Sequence, residues 1–379
     1  MHFMMLTTIR TWFMLCILSL MDTECEISHC PPVITANLRL RNALHLPYPF
    51  LIRNNHEILG TLRLKGGGVS GLRLWLLENF PKSIIKVARG RMEEFDHVCF
   101  DMNFLLHSAS RFAKSPEQMV SGVFTQLDDI LRTLVPKSSV VFVFDGPGPI
   151  AKIFTQRSRR AKKKAEDSKG FDSLHITPGT IFMKLMTRAL EYFACQRLLT
   201  RKYSHMQFFV SGANVAGEGE IKIIEWLNFV GKVRANDSVV VVGGDGDLVI
   251  QGLAMCRISN FYVFLGKVPK SGKGRRLPSG RLLISVPQIV AGLNRLFPGD
   301  SASTRLDIVV LCMFSGNDYL PGLIGFGLRR LLGAYVAARR TLKGQHLLDA
   351  GGRRFNYPFL RAVLAYRLFP YVPPKPAAV

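Results

Sequence analysis

Residues 217–247 read GEGEIKIIEWLNFVGKVRANDSVVVVGGDGD. The four valines 239–242 make an all-apolar run of strand length, the pattern of a strand buried on both faces of a parallel sheet. The run halts at Gly243-Gly244, and Asp245 and Asp247 follow. Ahead of it, the apolar residues of Ile221–Val230 predict a helix, and Glu218 and Glu220 stand at its start. The stretch therefore carries two pairs of acids, each pair split by one glycine. A core has no use for four carboxylates, since burying each one unpaired is costly. Closely spaced carboxylates beside glycine suit a hard divalent cation, which takes oxygen ligands.

Working outward, the same pattern recurs. His97–Phe100 is an apolar strand running into Asp101, and Ser139–Phe144 runs into Asp145. Phe208–Val210 and Phe261–Leu265 are further candidate strands, with another apolar stretch at Leu282–Val286. Helices are predicted between them: a short one around Leu72, Trp75, Leu76 and Phe80 ending at Pro81, one from Asp101 to about Arg132, and one capped by Thr177 with Pro178 at its first position, reaching Leu199. The segment Asp307–Phe314 reads equally as helix or strand. Strands separated by helices predict an α/β fold with a mostly parallel central sheet flanked by helices. Ligands of such sheets gather at the carboxyl ends of the strands, where Asp101, Asp145 and Asp245 fall.

Seven carboxylates are candidates for one site: Asp101, Asp145, Glu218, Glu220, Asp245, Asp247 and Asp318. That is too many for one magnesium ion and suits two, one activating water and one stabilising the leaving oxygen. The implied chemistry is metal-dependent phosphodiester hydrolysis. A second constellation, Lys152, Gln156, Arg159 and Arg160, falls on one stripe of a predicted helix, at i, i+4, i+7 and i+8. Two guanidiniums and an ammonium on one face can grip a phosphate. Lys162, Lys163 and Lys164 extend the basic run as a general RNA-steering patch. His107, six residues after Asp101, is a candidate for stacking on a base.

Charge points the same way. The chain has 50 Lys+Arg against 27 Asp+Glu over 379 residues, a net +23, and a pI near 10.1. A polyanionic partner is expected, nucleic acid before membrane. The seven cysteines, Cys16, Cys25, Cys30, Cys99, Cys195, Cys256 and Cys312, contain no CxxC spacing. A reducing compartment without a zinc ribbon is the expectation.

Residues 1–67 differ from the rest. Trp12–Met21 is an apolar run too short for a standard membrane span. The segment is expected to be a disordered extension or to arise from an unused upstream start, with organelle targeting as the lesser alternative. Gly66-Gly67-Gly68 makes a break, and Lys267–Arg281 reads as a mobile basic loop.

These residues resemble the catalytic region of the Xrn family of 5′→3′ exoribonucleases. The likeness is carried, in order, by GVSGLRLWLLENFP (68–81), DMNFLLH (101–107), FDGPGPIAKIFTQRSRR (144–160), TPGTIFM (177–183), GEGEIKI (217–223), GGDGDLVIQGLA (243–254) and FSGNDYLPGL (314–323). The resemblance implies a nuclease core of the PIN/FEN-like kind over residues 68–340, with 341–379 beginning a second, largely helical region. It implies that the seven acids bind two Mg²⁺ ions, for which Mn²⁺ can substitute, that Lys152, Gln156, Arg159 and Arg160 hold a 5′-phosphate, and that His107 stacks on a base. The implied substrate is single-stranded RNA with a 5′-monophosphate, degraded to mononucleotides in the nucleus or cytoplasm. No stable membrane association is expected, and a protein partner could complete the active-site wall. Phe104 stands where the family has a small residue, and Ile150 where a basic one is common. The alternative is a weakly active or inactive RNA-binding member of the family. A structure-specific DNA nuclease is a third reading.

Overall fold

The computed structural model describes residue 69 and residues 71–88, 90–148, 171–268, 280–317, 319–323, 325–349 and 351–365. The 1–67 extension, the Lys152–Arg160 stripe, Ile150, Lys162–Lys164, Asp318 and the chain beyond 365 lie outside the described residues.

The fold is α/β, built on one seven-stranded mixed sheet. Its strands are β1 (Ile84–Val87), β2 (Glu93–Asp101), β3 (Leu134–Val143), β4 (Gln207–Ser211), β5 (Ser238–Val242), β6 (Asn260–Val268) and β7 (Gly280–Ser285). Their order across the sheet is β1-β7-β6-β5-β2-β3-β4. From β6 to β4 all neighbours run parallel, and β7 and β1 close the other edge antiparallel. The valines of β5 are fully buried, as are Val98–Phe100 in the C-terminal half of β2 and Val140–Val143 in that of β3. Val98 and Phe100, Val140 and Phe142, and Val240 and Val242 pack into one core layer. The alternate residues Cys99, Val141, Val239 and Val241 are equally buried, which the two-residue period of a strand assigns to the opposite face. The mostly parallel sheet and flanking helices expected from the sequence are therefore present.

Ten α-helices lie among the described residues: α1 (Leu72–Asn79), α2 (Met102–Ala109), α3 (Pro116–Thr133), α4 (Ile181–Leu198), α5 (Gly219–Glu225), α6 (Asp247–Ala254), α7 (Val286–Leu296), α8 (Ser301–Phe314), α9 (Leu328–Thr341) and α10 (Tyr357–Ala365). In α1, Leu72, Trp75 and Leu76 are buried together with Phe80 just beyond it, and the rings of Trp75 and Phe80 meet edge-to-face at 5.1 Å.

Four local expectations need correction. The helix predicted from Asp101 to about Arg132 is two helices. Ser115 caps α3 by accepting from the Gln118 amide at 3.3 Å, and Pro116 fills its first position. The Thr177 cap is displaced to Thr180, which accepts from the Met183 amide. Gly179 between them sits at φ +91, a left-handed conformation that a helix cannot include. The predicted helix over Ile221–Val230 starts earlier, at Gly219, and its second half, Trp226–Val230, is a π-turn. The ends of the Lys267–Arg281 loop are strand, since Lys267 pairs with Arg281 and Val268 with Gly280. The ambiguous segment Asp307–Phe314 is helix, the last part of α8, which Asp300 caps through the amides of Ala302 and Ser303.

Candidate active site

The carboxyl ends of β2, β3 and β5 lie side by side, because β2 pairs with both β3 and β5. This register delivers Asp101, Asp145 and Asp245 to one end of the sheet, at the carboxyl termini of its strands. Asp101 closes β2 and caps α2, accepting from the amides of Asn103 at 3.0 Å and Phe104 at 3.4 Å. Asp145 follows β3 by two residues. One of its oxygens accepts from the Gly219 amide at 2.7 Å and the other from Asn103 Nδ2 at 2.8 Å. The Asp145 amide in turn donates to Asn103 Oδ1 at 3.2 Å.

Gly219 is the hinge of the arrangement. A Cβ there would lie 3.3 Å from Asp145 Oδ1 and 3.4 Å from Asp101 Oδ1. Two carboxylates thus converge on the glycine that separates Glu218 from Glu220. Glu218 is buried, 4% exposed, at the start of α5, and Glu220 is partly buried in its first turn. The Tyr319 hydroxyl is hydrogen-bonded to Glu218 and lies in the field of Glu220 and Asp145; burial and these anions push its pKa well above the usual range.

The GGDGD turn completes the cluster. Asp245 Oδ1 accepts from the Asp247 amide at 3.3 Å, and Asp247 Oδ1 accepts from the Val69 amide at 3.2 Å. Asp247 opens α6. Phe104, at the position noted above for its size, fits because residue 244 is a glycine: a Cβ there would be 2.6 Å from its ring.

Like charges this close must be compensated. Burial first, then Asp145 and Asp245, push the Asp101 carboxyl up to about 7, against the pull of its two backbone donors. One counter-charge is Lys222, buried on α5, whose Nζ donates to the carbonyls of Phe144 at 2.9 Å and Gly212 at 3.0 Å. Burial lowers its pKa to about 8, opposed by Asp145 and Glu225.

Of the twelve sequence candidates, Asp101, Asp145, Glu218, Glu220, Asp245 and Asp247 share this one neighbourhood. His107 is exposed on the last turn of α2. Lys152, Gln156, Arg159, Arg160 and Asp318 are outside the described residues, although the Asn317 side chain accepts from the amides of Tyr319 and Leu320 on the far side of residue 318. Sequence reading missed Asn103, Lys222 and Tyr319. Each lies inside a quoted motif, and the lone lysine in the apolar run IKII was the available signal for Lys222.

The donor set is wholly carboxylate oxygen, the chemistry a hard divalent cation takes. Among the described residues no three His, Cys, Asp or Glu side chains are already gathered as a metal cage. Asp101, Asp145 and Asp247 are turned instead to protein N–H donors.

Cys99, Cys195, Cys256 and Cys312 are free. Burial pushes the Cys312 thiol up to about 12, so it behaves as an inert apolar group. Among the described residues no helix is long and apolar enough to cross a membrane.

The chain is 31% identical over 327 residues to 5'-3' exoribonuclease 1 of Saccharomyces cerevisiae, a match covering 75% of this chain and 21% of the yeast protein. It is 26% identical over 298 residues to 5'-3' exoribonuclease 1 of Schizosaccharomyces pombe, covering 68% of this chain and 22% of that one. It therefore spans about a fifth of the length of these relatives. Among solved structures, human GEN1 in complex with Holliday junction DNA matches 80% of this chain and 64% of its own at 16% identity, with a TM-score of 0.42. Residues 67–265, more than half of the sequence, match the family described as XRN 5'-3' exonuclease N-terminus. The chain belongs to that family.

Proposed function

We propose that this chain is a divalent-metal-dependent 5′→3′ exoribonuclease that hydrolyses single-stranded RNA bearing a 5′-monophosphate. The observation that carries the proposal is the convergence of Asp101 and Asp145 on Gly219, between Glu218 and Glu220 and within the field of Asp245. In a chain of net charge +23, acids concentrated at one place serve a cation, while the excess of basic residues suits a polyanion.

Asp101, Asp145, Glu218, Glu220, Asp245, Asp247 and Asp318 would hold two Mg²⁺ ions or Mn²⁺ in their place. Bound metal supplies an activated water and neutralises charge on the leaving oxygen. The remaining work belongs to the chain. Asn103 and the Gly219 amide fix the orientation of Asp145. Lys152, Gln156, Arg159 and Arg160 bind the terminal phosphate, and His107 stacks on a base. Four side chains committed to one phosphate select a monophosphate end over a cap or a triphosphate. The work fits RNA turnover in the nucleus or cytoplasm.

Incubating the purified chain with Mg²⁺ and 5′-monophosphorylated single-stranded RNA is expected to release mononucleotides from the 5′ end. Chelation by EDTA stops the reaction, and 5′-triphosphorylated RNA resists it. RNA that is bound but left intact would sink the proposal, and faster cutting of flapped DNA would replace it with a DNA-directed activity.

Proton and metal compete at Asp101, which gives a second test. Its folded-state pKa of about 7 is raised above the ordinary value of 3.8. The folded chain therefore holds this proton more tightly than the unfolded chain. Stability from Asp101 is present at low pH and is lost as pH climbs toward 7 in metal-free protein. Above that pH the carboxylate is bare, and a cation gains most by binding it. The rise in melting temperature caused by added Mg²⁺ is expected to be larger at pH 8 than at pH 6. An equal rise at both values, read by scanning fluorimetry, contradicts the role given to Asp101.

A further inference from the structure

We propose that Lys222 is a positioning residue for the carboxylate site, its buried ammonium joining the chain segments that present Asp145, Glu218 and Glu220. The proposal rests on the reading of these acids as a divalent-cation site.

Three segments meet at Lys222. The first leaves β3 as Phe144-Asp145-Gly146. The second leaves β4 as Ser211-Gly212. The third is the turn Gly217-Glu218-Gly219 that opens α5. Backbone bonds stitch them together: the Phe144 amide to the Ser211 carbonyl at 3.0 Å, the Gly146 amide to the Gly217 carbonyl at 2.8 Å, and the Gly217 amide to the Pro147 carbonyl at 3.1 Å. Lys222, in α5 just after the third segment, reaches the first through the Phe144 carbonyl and the second through the Gly212 carbonyl.

The Phe144 carbonyl belongs to the peptide whose N–H is that of Asp145. Fixing one end of this planar unit fixes the other, and that N–H bonds Asn103 Oδ1 at the head of α2. Lys222 thereby sets the peptide from which the Asp145 side chain projects. Its other anchor is α5 itself: its amide bonds the Glu218 carbonyl at 3.0 Å.

Charge matters as well as reach. The lysine is 5% exposed, and burying an ammonium is costly unless anions and acceptors surround it. Here two carbonyls accept from it, and Asp145 and then Glu225 supply the opposing charge. A neutral side chain could fill the space but not balance acids drawn together for a cation. Gly217 adds to the fit: its φ of +106 is a conformation that favours glycine, and a Cβ there would only touch the lysine stem at an ordinary 3.6 Å.

The probe is Mn²⁺ alone, titrated calorimetrically into the full chain and its Lys222→Met, Lys222→Gln and Lys222→Arg variants, with circular dichroism and melting followed in parallel. K222M is expected to remain folded and to bind Mn²⁺ about 10–100-fold more weakly, the range seen when groups behind metal ligands are removed. K222R, which keeps the cation, is expected to recover much of that loss. A purely structural lysine would lower the melting temperature and leave the Mn²⁺ affinity of the folded protein unchanged; that result in K222M overturns the proposal. If K222M does not fold, K222Q decides, because it keeps N–H donors without charge: wild-type affinity overturns the role of the ammonium, and weakened affinity supports it. A wild-type chain that takes up no Mn²⁺ removes the cation site itself, and the role of Lys222 with it.

Discussion

Asp145→Ala is expected to lower the rate of RNA cleavage by on the order of 10³-fold, the loss of several kcal/mol of metal-borne stabilisation. Asp145 joins all parts of the site. It holds the Gly219 amide and the Asn103 side chain, and its charge acts on Asp101 and Lys222. Alanine deletes both oxygens that a cation could take. The fold should change much less. Two hydrogen bonds are lost, each worth roughly 1 kcal/mol, but Asp145 is also the second cause of the raised pKa of Asp101. Removing it relieves that repulsion and offsets part of the loss. RNA affinity, which depends mainly on basic contacts to phosphates, is expected to stay within a few-fold of wild type. Cleavage kinetics under single-turnover conditions, with melting and RNA binding measured alongside, check all three statements. A variant that cuts at the wild-type rate removes Asp145 from the site.

The legible part of the site was the part written as local contrast. An all-valine strand that stops at Gly-Gly-Asp-Gly-Asp announces both its burial and the acids at its end, and β5 with Asp245 and Asp247 lies as that pattern requires. Asp101 was legible for the same reason. Other features depend on partners far along the chain. Lys222 reads locally as the solvent-facing residue of an amphipathic helix; its acceptor at Phe144 is 78 residues away. Strand β1, IIKV, leaves its middle residues exposed at the sheet edge, so its pattern carries too little signal to mark a strand. The break between α2 and α3 had a visible sign in Ser115-Pro116, the cap and first-position proline that open α3. Thr177 and Thr180 are both acceptable caps by residue type. Only the left-handed Gly179 separates them, and a glycine alone does not disclose its φ.

Gly146→Ala is the substitution expected to cost the most stability. A Cβ at 146 would land on the carbonyl oxygen of Val215, with Ala216 close behind. Both obstacles are backbone, so no side chain can swing aside. The two strands of chain must part, and the bonds from the Gly146 amide to Gly217 and from the Gly217 amide to Pro147 lie at that contact. Losing two hydrogen bonds and forcing extra volume into a packed junction costs about 2–4 kcal/mol. For a domain of this size that is a fall in melting temperature of about 4–7 °C. Gly333→Ala is the matched control. It lies within α9, where a Cβ meets nothing within 4 Å, so alanine there should hold or raise stability through helix propensity. Parting at Gly146 also separates Asp145 from Gly219, so metal-dependent stabilisation should fall in the same variant. Equal melting temperatures for G146A and wild type would mean that the Phe144–Pro147 and Val215–Gly219 segments do not lie against each other as described, and the convergence of Asp145 with Glu218 and Glu220 would lose its structural basis.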